Sequence, residues 1–405
     1  MMFRNIFFVL IIILSGCDSE KQHSTDSKEI SDEWNEVLNE ARGKKVTWMM
    51  WQGDPYINEY VSSYVVPNVK EKFGIDLEIV SGQGNQIVST LIAELEAGNS
   101  ASELDMLWIN GETFYQLRQI DALHGPFLNK LPNTDLIDFS NKFINKDFQQ
   151  PIDGFECPWG NVQLALIYNK SKVDEPPKSL TELKVWMKNN PGQFTLSNDF
   201  TGITLLKSWM IGLSGNPQLF TGEFSEKVYA KYSEELWDYI REIKPYMWRG
   251  GNTFPANIAQ MHQLFSNGEL AFTMSNNDGE VDNKILQGLF PESSRSFVFN
   301  EGTIRNSHYL GIVEGSDNKE AAALVINFLI SPEAQLHKMK PSVWGDGTVL
   351  AMNKLPDSVR VAFNSIEERK YAPDREEIYQ HALEEPAPEY MIRLFEDFRE
   401  KIIEE

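Results

Sequence analysis

The chain has 405 residues, a formal charge of −22 and an apolar share of 41%. That length exceeds a single core and suits two domains behind a leader, while the apolar share excludes a disordered or coiled-coil chain. So large an acidic excess repels phosphate backbones and anionic headgroups, which argues against a nucleic-acid partner and leaves solubility as its plainest use.

Met1-Met2-Phe3-Arg4 is a short positive start, and Ile6 to Leu14 is an unbroken apolar run. A bilayer takes about 20 apolar residues, so this run is too short to span one but fits the apolar region of a secretory signal. It ends in Leu14-Ser15-Gly16-Cys17, which resembles a bacterial lipobox at every position. The resemblance implies cleavage before Cys17, lipidation of its thiol and anchoring at the cell envelope, since several acyl chains hold firmly where one holds marginally. Asp18 beside it implies the periplasmic face of the inner membrane if the source is Gram-negative. With Cys17 consumed, Cys157 has no intramolecular partner and reads as a small buried apolar residue.

Asp18 to Ile30 is polar and reads as a tether. Ser31 is expected to cap a docking helix with Trp34, Val37, Leu38 and Ala41 on one face and Gly43 as its stop. Val46 to Trp51 reads as a strand buried on both faces. The helix after it carries Ile57, Tyr60, Val61, Tyr64 and Val65, and Pro67 is expected to kink or break it. Leu77 to Val80, a helix through Leu95, and Asp105 to Ile109 continue the alternation of strand and helix that marks a parallel sheet. Its strand-to-helix turns, Gln52-Gly53-Asp54, Gly82-Gln83-Gly84-Asn85 and Asn110-Gly111-Glu112, are small and polar. Turns of this kind gather at the carboxyl edge of an open sheet, where free N–H groups and ligands meet.

Glu156 to Asn169 is the pivot: Pro158-Trp159-Gly160 leads into the apolar strand Val162 to Tyr168, after which the pattern restarts. Ser179 to Glu182 is a capping box, Phe194 to Leu196 a predicted strand, and Ser197 to Gly202 another polar turn before a helix. Helices near 225–244 and 258–265 precede strand 270–274, and Ser275 to Gly279 offers a second crossing. A returning strand at 307–313, a buried helix at 319–330, Ser331-Pro332-Glu333 as a helix start and a tail helix at 389–403 complete the reading.

Two stretches, Asn257 to Met274 with its Asn267-Gly268-Glu269, and Asn318 to Gln335 with Ser331-Pro332-Glu333-Ala334-Gln335, resemble the extracellular solute-binding proteins of ABC importers. Asp105 to Leu117 and Gly125 to Asn133 are similar to a YnjB-type branch. The resemblance implies an α/β, two-lobed type II periplasmic-binding-protein fold with a hinge and an interlobe cleft. The lobes would close on a small solute by hinge bending and then dock on a permease with its ATPase. The domains expected are 1–17 as signal peptide, 18–43 as tether and docking helix, 44–157 with 279–330 as lobe 1, and 158–278 with 331–405 as lobe 2. A monomer without cofactor or metal is expected. Iron is disfavoured because the adjacent tyrosine pair of the ferric-ion binders does not occur here.

The competing reading is an exported lipoprotein that binds or hydrolyses glycans, for which two placed carboxylates are needed. With 59 acidic residues, pairs arise by chance, so Asp54, Glu112, Asp199 and Asp278 receive no acid or base role. No G-x-S-x-G elbow, H-E-x-x-H motif or Cys/His cluster is present. The candidate solute contacts are Trp51, Gln52, Asn110, Glu112, Trp159, Asn198, Asp199, Asn276, Asn277 and Trp344, at strand ends or crossings. Trp159 and Trp344, flanked by glycine, proline or aspartate, read as the least core-like of the tryptophans. Aromatic faces with amides and acids suit a sugar or a thiamine-like organic cation.

Overall fold

The computed structural model describes residues 32–99 and 101–404. The signal segment, Cys17 and the tether through Ile30 lie outside the described residues. Helix α1 (Asp32–Ala41) is followed by β1 (Lys45–Met50), α2 (Pro55–Glu59), α3 (Val66–Phe73), β2 (Asp76–Ser81), α4 (Asn85–Glu96), β3 (Met106–Ile109) and α5 (Gly111–Gln119). β1 pairs in parallel with β2 and β3, as the alternation of strand and helix requires. Pro67 does not end its helix. A wider π-helical stretch, Tyr60–Val65, joins α2 to α3 and absorbs the change in hydrogen-bond register next to the proline.

A two-residue hairpin, β4 (Lys146–Asp147) and β5 (Gln150–Pro151), precedes β6 (Glu156–Gln163) and β7 (Ala165–Asn169). Helices α6 (Leu180–Asn189), α7 (Phe200–Ser214), α8 (Glu226–Ile243) and α9 (Ile258–Ser266), strand β8 (Phe272–Ser275), α10 (Glu280–Leu286) and β9 (Ser294–Phe297) come next. Six of the described helices start on a side-chain cap, four of them on serine or asparagine: Ser179 accepts from the Glu182 N–H, Ser225 from Val228, Asn257 from Gln260 and Ser331 from Ala334. The chain closes with β10 (Thr303–Ile312), α11 (Lys319–Leu329), α12 (Pro332–Met339), α13 (Asp357–Asn364), α14 (Arg375–Tyr379), β11 (Ala382–Leu383) and α15 (Pro388–Phe398). Phe194 to Leu196 is buried and extended but joins no sheet. Its neighbourhood bonds instead to the amides of Ala271 and Trp248.

Two cores form. One gathers β1, β2, β3, α11 and α12, and the other gathers β7, β8, α7, α8 and α15. The first sheet runs β11-β10-β3-β1-β2, with β6 also on β10, while β8-β7-β9 forms the second. β10 and β6 pair antiparallel from Arg305 opposite Gln163 to Gly311 opposite Glu156, and this pair joins the two cores: Tyr309 of β10 and Trp159 of β6 lie in the first, Ile304 of β10 and Leu164, just after β6, in the second. A third crossing runs from Phe363 in the first core to Tyr371 against the second. The lobe boundaries expected from sequence differ here. Val281, Phe290 and Phe297 lie in the second core, while Ala334, Trp344 and Leu355 lie in the first, because the chain returns along β10 rather than at Ser275 to Gly279.

Candidate functional site

The cleft between the cores is bridged at three places. At one flank, Asp54 caps α2 through Oδ1, accepting from the N–H groups of Tyr56 (2.8 Å) and Ile57 (3.2 Å). Its Oδ2 accepts from Lys284 of α10, in the other lobe, and Glu280 stands 3.2 Å from the same ammonium. Asn283 beside it donates to the carbonyls of Pro341 (2.9 Å) and Val343 (3.2 Å). These contacts hold α10 against the first lobe.

At the centre lies an aromatic and ionic knot. Asp346 is fully buried and accepts from His308 (3.0 Å) and from Lys338, whose ammonium also donates to the Gly347 carbonyl (2.7 Å). Burial opposes the charge of Asp346, but His308 and Lys338 outweigh it and hold the carboxyl at about 2. Gly160 is what lets this pair rest on β6, since a Cβ there would come within 1.9 Å of the His308 ring. His308 stacks on Trp344 with centroids 5.6 Å apart, and Trp108, Trp159 and Trp344 pack together at 5.0 to 5.9 Å. Asp278 is held in the same way. Its burial is overcome by Arg375 (2.9 Å) and Arg369, and its carboxyl lies below the usual range.

The opposite flank is acid-rich. The turn joining β4 to β5 puts Phe148 and Gln149 at φ 45° and 64°. Two non-glycine residues in the left-handed region cost on the order of 1–3 kcal/mol each, a kind of strain that persists where surrounding contacts demand it. Those contacts cross the cleft: Gln149 donates to the Glu385 carbonyl (2.6 Å) and accepts from the Gly222 N–H (3.0 Å). Phe148 packs into the second core and against the start of α5, where a Cβ on Gly111 would lie 1.8 Å from its ring. Around this turn stand Glu112, Asp147, Glu156 and Glu385. Lys207 of α7 donates to Glu385, with its ammonium 4.1 Å from the centroid of Phe148. Burial raises the pKa of Glu112 and Glu385; in Asp147 burial acts with the charges of Glu385 and Glu112, and in Glu156 with that of Asp147, so both stand well above the usual range.

Of the residues chosen from sequence, Glu112 sits in this acidic flank, in the first turn of α5, after Asn110 at its N-cap. Trp51 is half-buried over Gly53, and Gln52 is exposed. The reading of Trp159 and Trp344 as least core-like is corrected. Trp159 has no exposed surface and Trp344 only 6%, because β6 bulges at Pro158 to Gly160 and turns the indole inward onto Trp48 and Trp108. Asp199 is a helix cap whose oxygens accept from Gly202 (3.1 Å), Ser197 (2.7 Å) and Ile258 (2.6 Å), all in its own lobe. Asn198 is exposed and donates its N–H to Pro255. Asn277 is spent on the Gly279 N–H, while Asn276 donates to Thr201 and keeps a buried Oδ1 without a partner. Sequence reasoning missed Asp147, Phe148, Lys207 and Glu385. The clearest signal lay in the tandem polar-aromatic turn Asp147-Phe148-Gln149 just before the pivot strand.

Away from the cleft, a shallow hollow of about 540 Å³ beside Gln86, Thr90 and Glu94 of α4 touches none of these residues. Among the described residues, no group of three His, Cys, Asp or Glu side chains is placed to hold a metal. No described helix is long and apolar enough to cross a membrane.

Two α/β lobes sharing an antiparallel strand pair, with polar groups facing each other across the gap, define a two-lobed binding protein of the type II periplasmic class. Residues 65–359 match the model of the bacterial extracellular solute-binding proteins, and the chain belongs to that family. Protein YnjB of Escherichia coli (strain K12) is 35% identical over 339 residues, 83% of this chain and 87% of that protein. Among solved structures, the spermidine/putrescine ABC transporter substrate-binding protein PotD from Streptococcus pneumoniae matches with a TM-score of 0.62 at 19% identity, over 88% of this chain and 99% of that one. The periplasmic binding protein AfuA from Actinobacillus pleuropneumoniae matches at 0.63 and 14%, over 89% and 98%. At such identities the structures speak for the fold alone.

Proposed function

We propose that this chain is the capture subunit of an ABC-type importer, closing its lobes on a small solute and presenting the closed form to a membrane permease with its ATPase. One observation carries the reading: β10 contributes to both cores and its partner β6 runs from the first core to Leu164 at the edge of the second, so rotation about that pair opens or closes the cleft while each core stays packed. The Asp54–Lys284 pair and the Asn283 contacts exist only when the lobes are together, so they add to whatever a solute contributes to the closed form. In this reading the protein works as a monomer tethered at the cell envelope through Cys17, and no turnover accompanies capture. Membership of the solute-binding family and the names of its structural neighbours support it. The test is a thermal-melt screen of the full chain in detergent against sugars, thiamine and its phosphates, polyamines and amino acids, with X-ray scattering on any hit. A true cargo raises the midpoint by mass action, about 2.7 kcal/mol at a hundredfold excess over Kd, and contracts the molecule. Silence from every class removes the reading.

A further inference from the structure

The acidic flank holds more carboxylates than the cations facing them can match. Asp147 and Glu156 are 2% and 0% exposed, and Asp147 Oδ2 and both Glu156 oxygens have no hydrogen-bond partner. Glu112 Oε2 is buried and unpartnered as well. Lys207 is already bonded to Glu385, and Asn306 donates to the other oxygen of that carboxylate (3.1 Å). The remaining facing cation is Arg118, which acts on Glu156 and lies over the Phe155 ring at 3.5 Å. The Tyr309 hydroxyl, also beside Asp147, donates to the carbonyls of Ile144 and Lys146 instead. Lys207 acts on Glu112 and Asp147 as well as on Glu385, so four carboxyl groups face two cations. A buried carboxyl in that position either keeps its proton or takes a cation.

The space available points to the second option when solute is present. A cavity of about 10 Å³ is lined by Asp147, Phe148, Asn306 and Glu385, with Lys146, Lys142 tied to Glu384 and Arg305 tied to Asn161 also on its wall; Glu112 and Glu156 stand outside the lining. The cavity has room for about one water-sized group, the size of an ammonium head and far less than a sugar ring. The rings of Phe148 and Phe200 already stand 4.1 and 5.6 Å from one ammonium, that of Lys207, so the flank is furnished with aromatic faces that attract cations.

We propose that this chamber seats the ammonium end of an organic amine, making the cargo a cation, with a proton leaving Asp147, whose unpartnered oxygen adjoins the chamber, as it enters. The step balances without covalent chemistry: the ammonium keeps its hydrogens and donates them to carboxylate oxygens, and each carboxyl that ionises gives one proton to solvent. The inference rests on the reading of the cleft as the solute site, and it names the class of solute.

The test is isothermal titration calorimetry of the full chain in detergent with putrescine, spermidine and thiamine, and with glucose as a neutral probe, in phosphate and in MOPS at equal pH. The expected result is a binding heat that differs between the buffers in the sense of proton release, for at least one of the cations, with affinity rising from pH 6 to pH 8. Asp147→Asn, which keeps the shape and lines the chamber, should weaken that binding about tenfold or more and reduce the protons released, and Glu156→Gln, outside the lining, should weaken it less. If one variant fails to fold, the other variant and the wild-type proton count still decide. Binding of glucose with no cation bound would overturn the inference and leave the capture reading standing. Cation binding without proton release, and unchanged in both variants, would place the amine elsewhere and overturn the inference too. Silence from all four probes would overturn it outright, and the broader melt screen then decides the capture reading by itself.

Discussion

The two buried acidic regions of this protein are built from the same residue types and do opposite things. At the centre, Asp346 is met by Lys338 and the His308 ring and Asp278 by two arginines, and both carboxyls are held below the usual range despite burial. At the flank, Glu112, Asp147 and Glu156 face too few cations, and burial raises all three. The difference is one of stoichiometry, not of depth. A saturated carboxylate is a rivet, here fixing the 341–347 segment and the 369–375 crossing to the hinge. An unsaturated one is a vacancy in the charge balance, and it is the more natural place for a charged guest.

The largest effect that would break this comparison lies at the rivet. Lys338→Met leaves Asp346 buried with half its partners and should cost about 3–5 kcal/mol in urea unfolding. A loss below 1 kcal/mol would mean the centre is as adaptable as the flank. Trp159→Ala should cost a similar amount, about 3–5 kcal/mol, because the indole is wholly enclosed by Trp48, Trp108 and Trp344. An unchanged ligand-free midpoint would restore it as a solute contact. Glu156→Gln should be near neutral at pH 7, within about 1 kcal/mol, since burial favours the uncharged carboxyl that the amide imitates and neither oxygen has a hydrogen bond to lose. A steep loss there would contradict the account of the flank. Lys284→Gln removes the cation shared by Asp54 and Glu280 across the cleft and should loosen closure, read as a larger radius of gyration in scattering at low salt; an unchanged radius would show that this pair does not hold the lobes together.

The pH dependence separates the two regions by sign. Asp346 and Asp278 have lowered folded-state pKa values, so their contribution is present above the unfolded carboxylate range near 4 and is lost as pH falls, for Asp346 through about 2. Asp147 and Glu156 have raised ones, so stability linked to them is complete below the unfolded range and declines as pH rises toward their folded values. Denaturant midpoints of the wild type against pH should therefore fall on both sides, and Glu156→Gln should flatten only the higher-pH side. Flattening of the acid side by that variant would show that the flank carboxylates are ionised in the folded state.

Much of the fold was legible because its signals are local. The alternation from Val46 to Ile109, the caps at Ser179 and Ser331 and the pivot at Glu156 to Asn169 each depend on neighbours in sequence. Of the acidic flank, only Glu112 coincides with such a signal, at a strand-to-helix turn. The same logic misplaced Asp199, because a polar residue ahead of a helix serves a cap as readily as a ligand, and only the Ile258 N–H across the loop decides it. Trp159 misled because Pro-Trp-Gly reads as a turn when it is in fact a bulge inside a strand. Asp147, Lys207 and Glu385 converge from three distant segments, and no pattern in a single sequence joins them.

The most direct test of the central claim is the melting temperature of the full chain with saturating putrescine, spermidine, thiamine or glucose, at pH 6 and at pH 8. An acid-rich flank that works as a cation seat requires that a cation raise the midpoint, more at pH 8 than at pH 6, while glucose leaves it unmoved. A shift from glucose alone, equal at both pH values, would contradict it.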